Sequence, residues 1–186
     1  VAVRAVVASV RPRPDPHVTA IEPCRWLPAY VALGSNLDDP RVQVVRALTE
    51  LNGLPGTRSM LRSSLYRSRP FGPVQQPDFI NAVAGLLTEL DPAALLAELQ
   101  RLEARLGRER PAVRWGPRRI DLDLLVHGAA QISQPALVVP HPGIAERAFV
   151  LVPLAEIAPD LVVPGAGCVR DLLTRVDSTG LERLAA

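Results

Sequence analysis

The stretch Ile120-Asp121-Leu122-Asp123-Leu124-Leu125-Val126 begins with alternating apolar and acidic residues, which predicts a β-strand. Successive side chains of a strand point to opposite faces, so Asp121 and Asp123 share one face. The rise per residue places them roughly 7 Å apart along the strand. The residues expected to pack on helices from the other face are Ile120, Leu122, Leu124 and Val126. The stretch therefore predicts a sheet that carries two neighbouring carboxylates.

Two helices are expected to precede this strand. Each starts at an Asp-Pro pair, Asp39-Pro40 and Asp91-Pro92, because aspartate caps a helix and proline suits its first position. Asn52-Gly53 and Gly107 are their predicted ends. The residues expected to face the core are Val42, Val45 and Leu48 in the first helix and Leu95, Leu99, Leu102 and Leu106 in the second.

The remaining segments complete a recognisable order of elements. Strands are predicted at residues 30–34, 57–68, 79–90 and 119–127, and short helices at 145–157 and 169–175. The order strand, helix, strand, strand, helix, strand is that of a ferredoxin-like α/β sandwich. The predicted fold class is therefore α+β, a single domain in which helices pack on one face of an antiparallel sheet.

The length and composition support one globular domain. The chain has 186 residues, 48% of them hydrophobic, which is enough for one core. The run Arg11-Pro12-Arg13-Pro14-Asp15-Pro16 can neither continue a helix nor lie inside a sheet. We therefore expect a disordered N-terminal extension at residues 1–28, the globular domain at 29–178 and a C-terminal tail at 179–186.

Charge and hydropathy narrow the range of partners. The net charge of +2 is too small to predict general binding to nucleic acid or to an anionic membrane. No apolar run approaches the roughly 18 residues of a transmembrane helix. A cytoplasmic monomer is the resulting expectation. Cys24 and Cys168 lack metal-ligand spacing, so reduced thiols are predicted, with a disulfide left open.

The two carboxylates have two possible interpretations, a metal site or a solvated strand face. Carboxylates held this close repel each other unless a cation lies between them, and oxygen ligands with open positions suit magnesium. The neighbouring residues 101–119 contain seven arginines and two glutamates, a local excess of five positive charges. Guanidinium groups bind phosphate oxygens in bidentate fashion. The combination predicts magnesium-dependent phosphate transfer.

Common nucleotide-binding signatures are absent. All 21 basic residues are arginine, so neither the lysine of a P-loop nor the strand lysine of a protein kinase is possible. Gly34-Ser35 lies 86 residues before Asp121, whereas polymerase-type nucleotidyltransferases place such a pair close upstream of their carboxylates. The sequence therefore excludes these three classes.

Four motifs resemble, in the same order, those of the 6-hydroxymethyl-7,8-dihydropterin pyrophosphokinase family, whose members move the β,γ-diphosphate of ATP onto a pterin alcohol for folate biosynthesis. The motifs are Leu33-Gly34-Ser35-Asn36-Leu37, Gln76-Pro77-Asp78-Phe79-Ile80-Asn81-Ala82, Arg114-Trp115-Gly116-Pro117-Arg118-Arg119-Ile120-Asp121-Leu122-Asp123, and Val139-Pro140-His141 with Glu146-Arg147. The resemblance runs from about Tyr30 to Arg175. It implies ATP and a reduced pterin as substrates, AMP as a product and two magnesium ions as cofactors.

The resemblance also implies roles on the ATP side. Asp121 and Asp123 would hold the magnesium ions, and Arg108 and Arg110 would lie on a mobile loop that closes over the reaction; these four are the expected catalytic residues. Glu103 matches a helix position near the nucleotide and is expected to be structural. The residues expected to bind ATP are Gln100, Arg110, Arg114, Trp115, Arg118, Leu124, Val138, His141 and Arg147.

On the pterin side, Phe79 would stack on the ring, with Phe149 on its other face, although phenylalanine is also an ordinary core residue. Asn81 would hydrogen-bond the pterin edge, because an amide presents a donor and an acceptor together; alternatively it satisfies the backbone of its strand. The family often has a basic residue at the position of Pro111. The proline is expected to stiffen the loop. The residues expected at the pterin are Pro70, Phe71, Gly72, Phe79, Asn81, Trp115, Asp121 and Phe149.

Two other functions fit parts of this pattern. A ferredoxin-like nucleic-acid-binding module could use the arginines as a patch, but such modules need exposed aromatic residues on their central strands. Aromatic residues make up only 4% of this chain. A glycosyltransferase could use the Asp-x-Asp pattern to bind a nucleotide sugar, although the chain is short for that fold.

Overall fold

A computed structural model describes residues 26–108 and 116–185. Its elements, in chain order, are β1 (Leu27–Ser35), α1 (Pro40–Glu50), β2 (Thr57–Arg62), β3 (Tyr66–Ser68), β4 (Phe79–Thr88), α2 (Pro92–Arg105), β5 (Asp121–His127), β6 (Ile132–Gln134), β7 (Leu137–Val139), α3 (Ala148–Ile157), β8 (Val162–Val163), β9 (Gly167–Cys168), α4 (Val169–Leu173) and β10 (Glu182–Arg183). This mixture confirms the α+β class. None of the helices in these two ranges is long and apolar enough to cross a membrane.

The main sheet is antiparallel and is built around β4. Within the described residues its strand order is β10-β3-β4-β1-β5, and β2 pairs with β4 beside β3. The sequence of β4 is almost continuously apolar, and nearly every residue in it is buried. A strand has such a continuously apolar sequence when both of its faces are covered by other elements. β6–β7 and β8–β9 form separate hairpins that the sequence analysis did not include.

Helices cover both faces of this sheet, so the expectation that they cover one face was wrong. α1 and α2 pack on one face around Leu33 and Leu99, in the larger cluster of buried apolar residues. α3 and α4 pack on the other face, where Leu151 contacts a second cluster that includes Val83 of β4. The sequence pattern of β4, apolar at consecutive positions, is what requires the second layer.

An irregularity in β5 explains why Val126 faces the side of the sheet opposite to the one predicted. Tyr30 of β1 pairs with Val126 while Val31 pairs with Leu124, so Leu125 is an extra residue in the ladder. A bulge of this kind reverses the alternation of side chains beyond it. Leu124 therefore lies in the first cluster as expected, whereas Leu125 and Val126 both lie in the second. The predicted orientation of Val126 was wrong for this reason.

The two Asp-Pro helix starts are confirmed. Asp39 accepts a hydrogen bond from the backbone of Val42 at 3.4 Å, and Asp91 accepts one from Ala94 at 2.8 Å. The predicted inner face of α1 was wrong, because Val42 and Val45 are 56% and 47% exposed. The residues of α1 that reach the core are Val44, Ala47 and Leu48.

The predicted strand at residues 57–68 is divided in two. Between β2 and β3 the hydroxyl of Ser63 accepts a hydrogen bond from the backbone of Val83 at 2.9 Å. β1 begins at Leu27, two residues before the predicted domain start. The predicted tail at 179–186 contains β10, which pairs with β3 and adds a strand to the edge of the sheet.

Glu156 of α3 connects three elements at this edge. Its carboxylate accepts hydrogen bonds from the backbone and hydroxyl of Ser64 at 2.9 and 2.8 Å, from Tyr66 at 3.0 Å and from Arg183 at 3.0 Å. Partial burial alone would raise the pKa of Glu156, but the hydrogen bonds and the charge of Arg183 outweigh it, and the net shift is downward. The ionised form therefore stabilises the fold.

We expect Glu156→Gln to lower the free energy of unfolding by about 1–3 kcal/mol at pH 7, the usual range for hydrogen bonds to a charged group. Because the folded-state pKa is lowered, this contribution is present above the unfolded pKa of about 4.3 and is lost as the pH falls through the folded pKa. The difference between wild type and variant should therefore shrink in acid. Urea unfolding at several pH values measures it.

Glu182→Gln is the matched control. Glu182 lies on β10, and the ion pair described for it is with the exposed Arg67. It should change stability by less than about 1 kcal/mol. Equal pH dependence in wild type and Glu156→Gln would contradict the assignment.

Candidate active site

The strand register brings the predicted site residues together across the sheet. Asn81 of β4 pairs with Gly34 of β1, and Gly34 pairs on its other side with Asp121 of β5. The next row on the same face contains Ala32 opposite Asp123. Because the middle strand contributes only glycine and alanine, this part of the sheet has no bulky side chain above it. The rows form the floor of a recess.

A cavity of about 280 Å³ occupies this recess, on the sheet face that also carries α3 and α4. One side is aromatic and polar, and the other is formed by carboxylates and cations. Its lining residues are Ala32, Leu33, Gly34, Ser68, Arg69, Phe71, Gln76, Phe79, Asn81, Arg108, Arg118, Asp121, Asp123, His141, Arg147, Phe149 and Val150. Ten of the predicted site residues therefore meet in one place.

The two carboxylates differ in their partners. Asp121 is paired with two arginines: its oxygens lie 2.8 Å from Arg108 Nη2 and 2.5 Å from Arg118 Nη1. The closest ion-pair contact described for Asp123 is to His141 Nε2, at 3.9 Å. Asp123 is 42% exposed and lines the cavity. Partial removal from water and the charge of Asp121 raise its pKa to about 6.

This arrangement fits a magnesium site that is completed by substrate. Among the described residues no group of three or more histidine, cysteine, aspartate or glutamate side chains could hold a metal, so Asp121 and Asp123 are the available pair. Magnesium commonly binds one or two carboxylates and fills its other positions with water and phosphate oxygens. A cation would also relieve the repulsion that raises the pKa of Asp123.

Glu103, which was expected to be structural, connects α2 to Arg108 and to β5. It is 4% exposed on α2, forms a short ion pair with Arg108, and accepts a hydrogen bond from the backbone of Leu122 at 2.6 Å. Burial raises the pKa of Glu103 to about 7, against the opposing charge of Arg108. Glu103 thus holds Arg108 beside Asp121. An acid within the apolar face of a predicted helix is the sequence signal for such a role.

Three predicted residues of the arginine loop, Arg110, Arg114 and Trp115, lie outside the described residues, as does Pro111. Arg108 is the last described residue before that gap. Its ion pairs with Glu103 and Asp121 place its guanidinium at the cavity.

The aromatic side of the cavity contains three phenylalanines. The guanidinium of Arg118 lies 5.8 Å from the ring centre of Phe79. Phe71 and Phe149 contact each other, with ring centres 6.4 Å apart and planes tilted by 55°. Arg147 lies 5.7 and 5.9 Å from these two rings. Cations therefore line both the aromatic and the acidic parts of the cavity.

His141 presents one nitrogen to the cavity. Its Nδ1 accepts a hydrogen bond from the backbone of Gly143 at 3.0 Å, so the neutral ring carries its proton on Nε2, which faces Asp123. Burial, together with the charge of Arg147, lowers the pKa of His141. The ring is therefore arranged to donate a hydrogen bond.

Five predicted residues do not line this cavity. Gln100 is exposed on α2, Leu124 is buried in the first cluster, and Val138 is 42% exposed on β7. Pro70 lines a smaller adjoining depression, and Gly72 follows Phe71 with a positive φ of 102°. Their roles at ATP and the pterin stay predictions.

Comparisons with known proteins found relatives of this chain. Relatives called 2-amino-4-hydroxy-6-hydroxymethyldihydropteridine pyrophosphokinase are 48% identical in Methylorubrum extorquens, over 84% of this chain and 98% of the relative. In Pseudomonas aeruginosa the identity is 49%, over 83% of this chain and 95% of the relative. The relative in Haemophilus influenzae is 48% identical, over 78% of this chain and 90% of the relative.

Solved structures share the fold. A Plasmodium falciparum HPPK-DHPS with pteroate superposes with a TM-score of 0.66 at 12% identity, over 87% of this chain. This chain spans about half of that longer chain, 47% of its length. Residues 30–159 match the family described as 7,8-dihydro-6-hydroxymethylpterin-pyrophosphokinase (HPPK). With this match and relatives of nearly half-identical sequence, the chain belongs to the 7,8-dihydro-6-hydroxymethylpterin-pyrophosphokinase family.

Proposed function

We propose that this enzyme transfers the β,γ-diphosphate of ATP to 6-hydroxymethyl-7,8-dihydropterin, giving AMP and the pterin diphosphate for folate biosynthesis. The observation that carries the proposal is the row Asn81–Gly34–Asp121, which puts an amide suited to a pterin edge and a carboxylate suited to magnesium on the same floor. The curated relatives bear the name of this activity.

The pterin is expected to lie over the small residues of β1. A Cβ at Gly34 would lie 3.4 Å from Asn81 Oδ1 and 3.9 Å from the ring of Phe79, so both groups border the space that glycine leaves. The Nδ2 of Asn81 donates to the hydroxyl of Ser68 at 2.9 Å, which orients the amide. Its oxygen is left as an acceptor for an amino group of the pterin.

Two magnesium ions would be held by Asp121 and Asp123; when bound, they would neutralise the charge of the triphosphate. Arg108 and Arg118 already pair with Asp121. With Asp121 engaged by magnesium, both guanidinium groups would be available to bind phosphate oxygens, Arg108 while still paired with Glu103. Arg147 and the Nε2 proton of His141 face the same space and would bind further phosphate oxygens.

In the proposed reaction the hydroxymethyl oxygen attacks the β-phosphorus and gives up its proton to water. The bond between the β-phosphorus and the α,β-bridging oxygen breaks, and AMP leaves with that oxygen. The side chains contribute by positioning the two substrates and by neutralising phosphate charge, which is the usual protein contribution to this chemistry.

The test is to incubate the enzyme with MgATP and 6-hydroxymethyl-7,8-dihydropterin and to separate the nucleotide products. We expect AMP to form in step with the pterin diphosphate, and EDTA to prevent it. ADP as the product, or no turnover, would refute the proposal.

The nucleic-acid-binding alternative receives no support from the structure. Every described arginine of the basic segment is paired with a carboxylate: Arg101 with Glu98, Arg105 with Glu50, Arg108 with Glu103, Arg118 with Asp121 and Arg119 with Asp38. Arginines whose charge is already neutralised do not form the electropositive surface that such a module needs.

A further inference from the structure

We infer that Asn36 is a positioning residue that couples the phosphate side of the cavity to the pterin side. This inference rests on the proposed function. Asn36 follows β1 directly, is 2% exposed, and does not line the cavity. Its side chain nevertheless bonds to two segments that do, one carrying Arg118 and the other leading into Phe79.

On the phosphate side, Asn36 holds the backbone of Arg118 at two points. Asn36 Oδ1 accepts a hydrogen bond from Arg118 N at 2.8 Å, and Asn36 N donates to Arg118 O at 3.1 Å. With its backbone fixed, Arg118 reaches Asp121 at 2.5 Å and lies beside Phe79. The orientation of a guanidinium that is expected to bind phosphate therefore depends on this amide.

On the pterin side, Asn36 Nδ2 donates two hydrogen bonds. One goes to Gln76 Oε1 at 2.9 Å and the other to Pro77 O at 3.1 Å. Gln76 lines the cavity, and Pro77 stands two residues before Phe79, the first residue of β4. The same amide thus fixes the segment that delivers the aromatic ring to the pterin.

Only an amide can make all of these side-chain bonds together. Aspartate keeps the acceptor for Arg118 but cannot donate to Gln76 or to the carbonyl of Pro77. Alanine makes none of the three bonds and leaves buried polar groups without partners. A nucleotide that binds Arg118 would act on Gln76 and Pro77 through the hydrogen bonds of Asn36. We expect this link to make each substrate strengthen the binding of the other.

The experiment measures the dissociation constant of 6-hydroxymethyl-7,8-dihydropterin with and without magnesium and α,β-methylene-ATP. This analogue replaces the bridging oxygen whose bond is broken, so both ligands can be present without turnover. In the wild type the analogue should tighten pterin binding by a factor in the range of about 5 to 150, the usual size of coupling between sites. In Asn36→Asp and Asn36→Ala the factor should fall toward one.

A structural role alone would give a different result. We expect Asn36→Asp to bind the analogue alone within about fivefold of wild type, so that the loss is in coupling and not in the binary complex. Asn52→Ala is the matched control, because Asn52 is an exposed asparagine that bonds only to Thr49 in its own helix turn among the contacts described for it. It should keep the wild-type coupling.

The outcomes are distinct. Wild-type coupling in both folded Asn36 variants overturns the inference, and so does a wild type without coupling. Failure of both variants to fold, read by thermal unfolding, also overturns it, since Asn36 would then serve only the fold. A wild type that binds neither ligand would instead refute the proposed function.

Discussion

Asp123→Asn is expected to lower turnover by at least about 10³-fold, because a metal ligand contributes several kcal/mol of charge stabilisation in the transition state. The same change should raise the melting temperature of the metal-free enzyme. The negative charge of Asp123 lies beside that of Asp121. Of these two carboxylates it is Asp121 that forms the described ion pairs with Arg108 and Arg118. An amide of the same shape removes the repulsion. A variant that is inactive and more stable would identify Asp123 as a residue retained for the reaction at a cost to stability.

The measurement combines steady-state AMP release with thermal unfolding at pH 8 in EDTA. Asp160→Asn is the matched control, since Asp160 is 79% exposed and pairs with Arg170 away from the cavity. The control should leave turnover unchanged. Turnover of Asp123→Asn within about tenfold of wild type would contradict the metal assignment. A lower melting temperature in EDTA would contradict the electrostatic account.

Local sequence was sufficient for the features that depend on neighbours in the chain. The Asp-Pro helix starts, the acidic strand and the paired carboxylates follow from capping chemistry and from the alternation of strand side chains. The family motifs added the residues that are predicted to bind the pterin. These patterns are short-range, and the folded protein preserves them.

The remaining features depend on contacts between distant segments. The bulge at Leu125 is a property of how β5 pairs with β1, and it decides which side of the sheet Val126 faces. The functional value of Gly34 and Ala32 arises from the register that sets them between Asn81 and the carboxylates. No spacing within one segment gives a cross-strand register, so sequence reasoning could not find the floor of the cavity.

The partners of two buried polar residues could not be predicted from the sequence either. Glu103 and Asn36 are 4% and 2% exposed, and each bonds to groups far away in sequence. A charged or amide side chain in such a place must have partners, but its identity does not name them. The structure shows that both lead to arginines of the cavity, Arg108 and Arg118. The supporting contacts of the site are thus what the sequence could not supply.

Arg118 lies between the acidic and the aromatic parts of the cavity. It contacts Asp121 at 2.5 Å and lies 5.8 Å from the ring centre of Phe79. Its buried Nε has no hydrogen-bond partner among the described residues. A buried donor without a partner is costly, and in an enzyme it is a natural place for a substrate oxygen. We therefore propose that Arg118 contacts the transferred group.

We expect Arg118→Ala to lower kcat/KM by about 10³-fold, the lower end of what a transition-state arginine contributes in phosphoryl transfer. Arg118→Lys should recover only a small part of this loss, because lysine keeps the charge but lacks the planar fork that binds two oxygens. Arg119→Ala is the matched control: the next residue in the chain pairs with Asp38 at 2.6 Å and is 44% exposed outside the cavity. Steady-state kinetics of the three variants should separate the two neighbours by at least about 100-fold. Equal losses at both positions would mean that the general positive charge of the segment, and not the geometry at Asp121, supports the reaction.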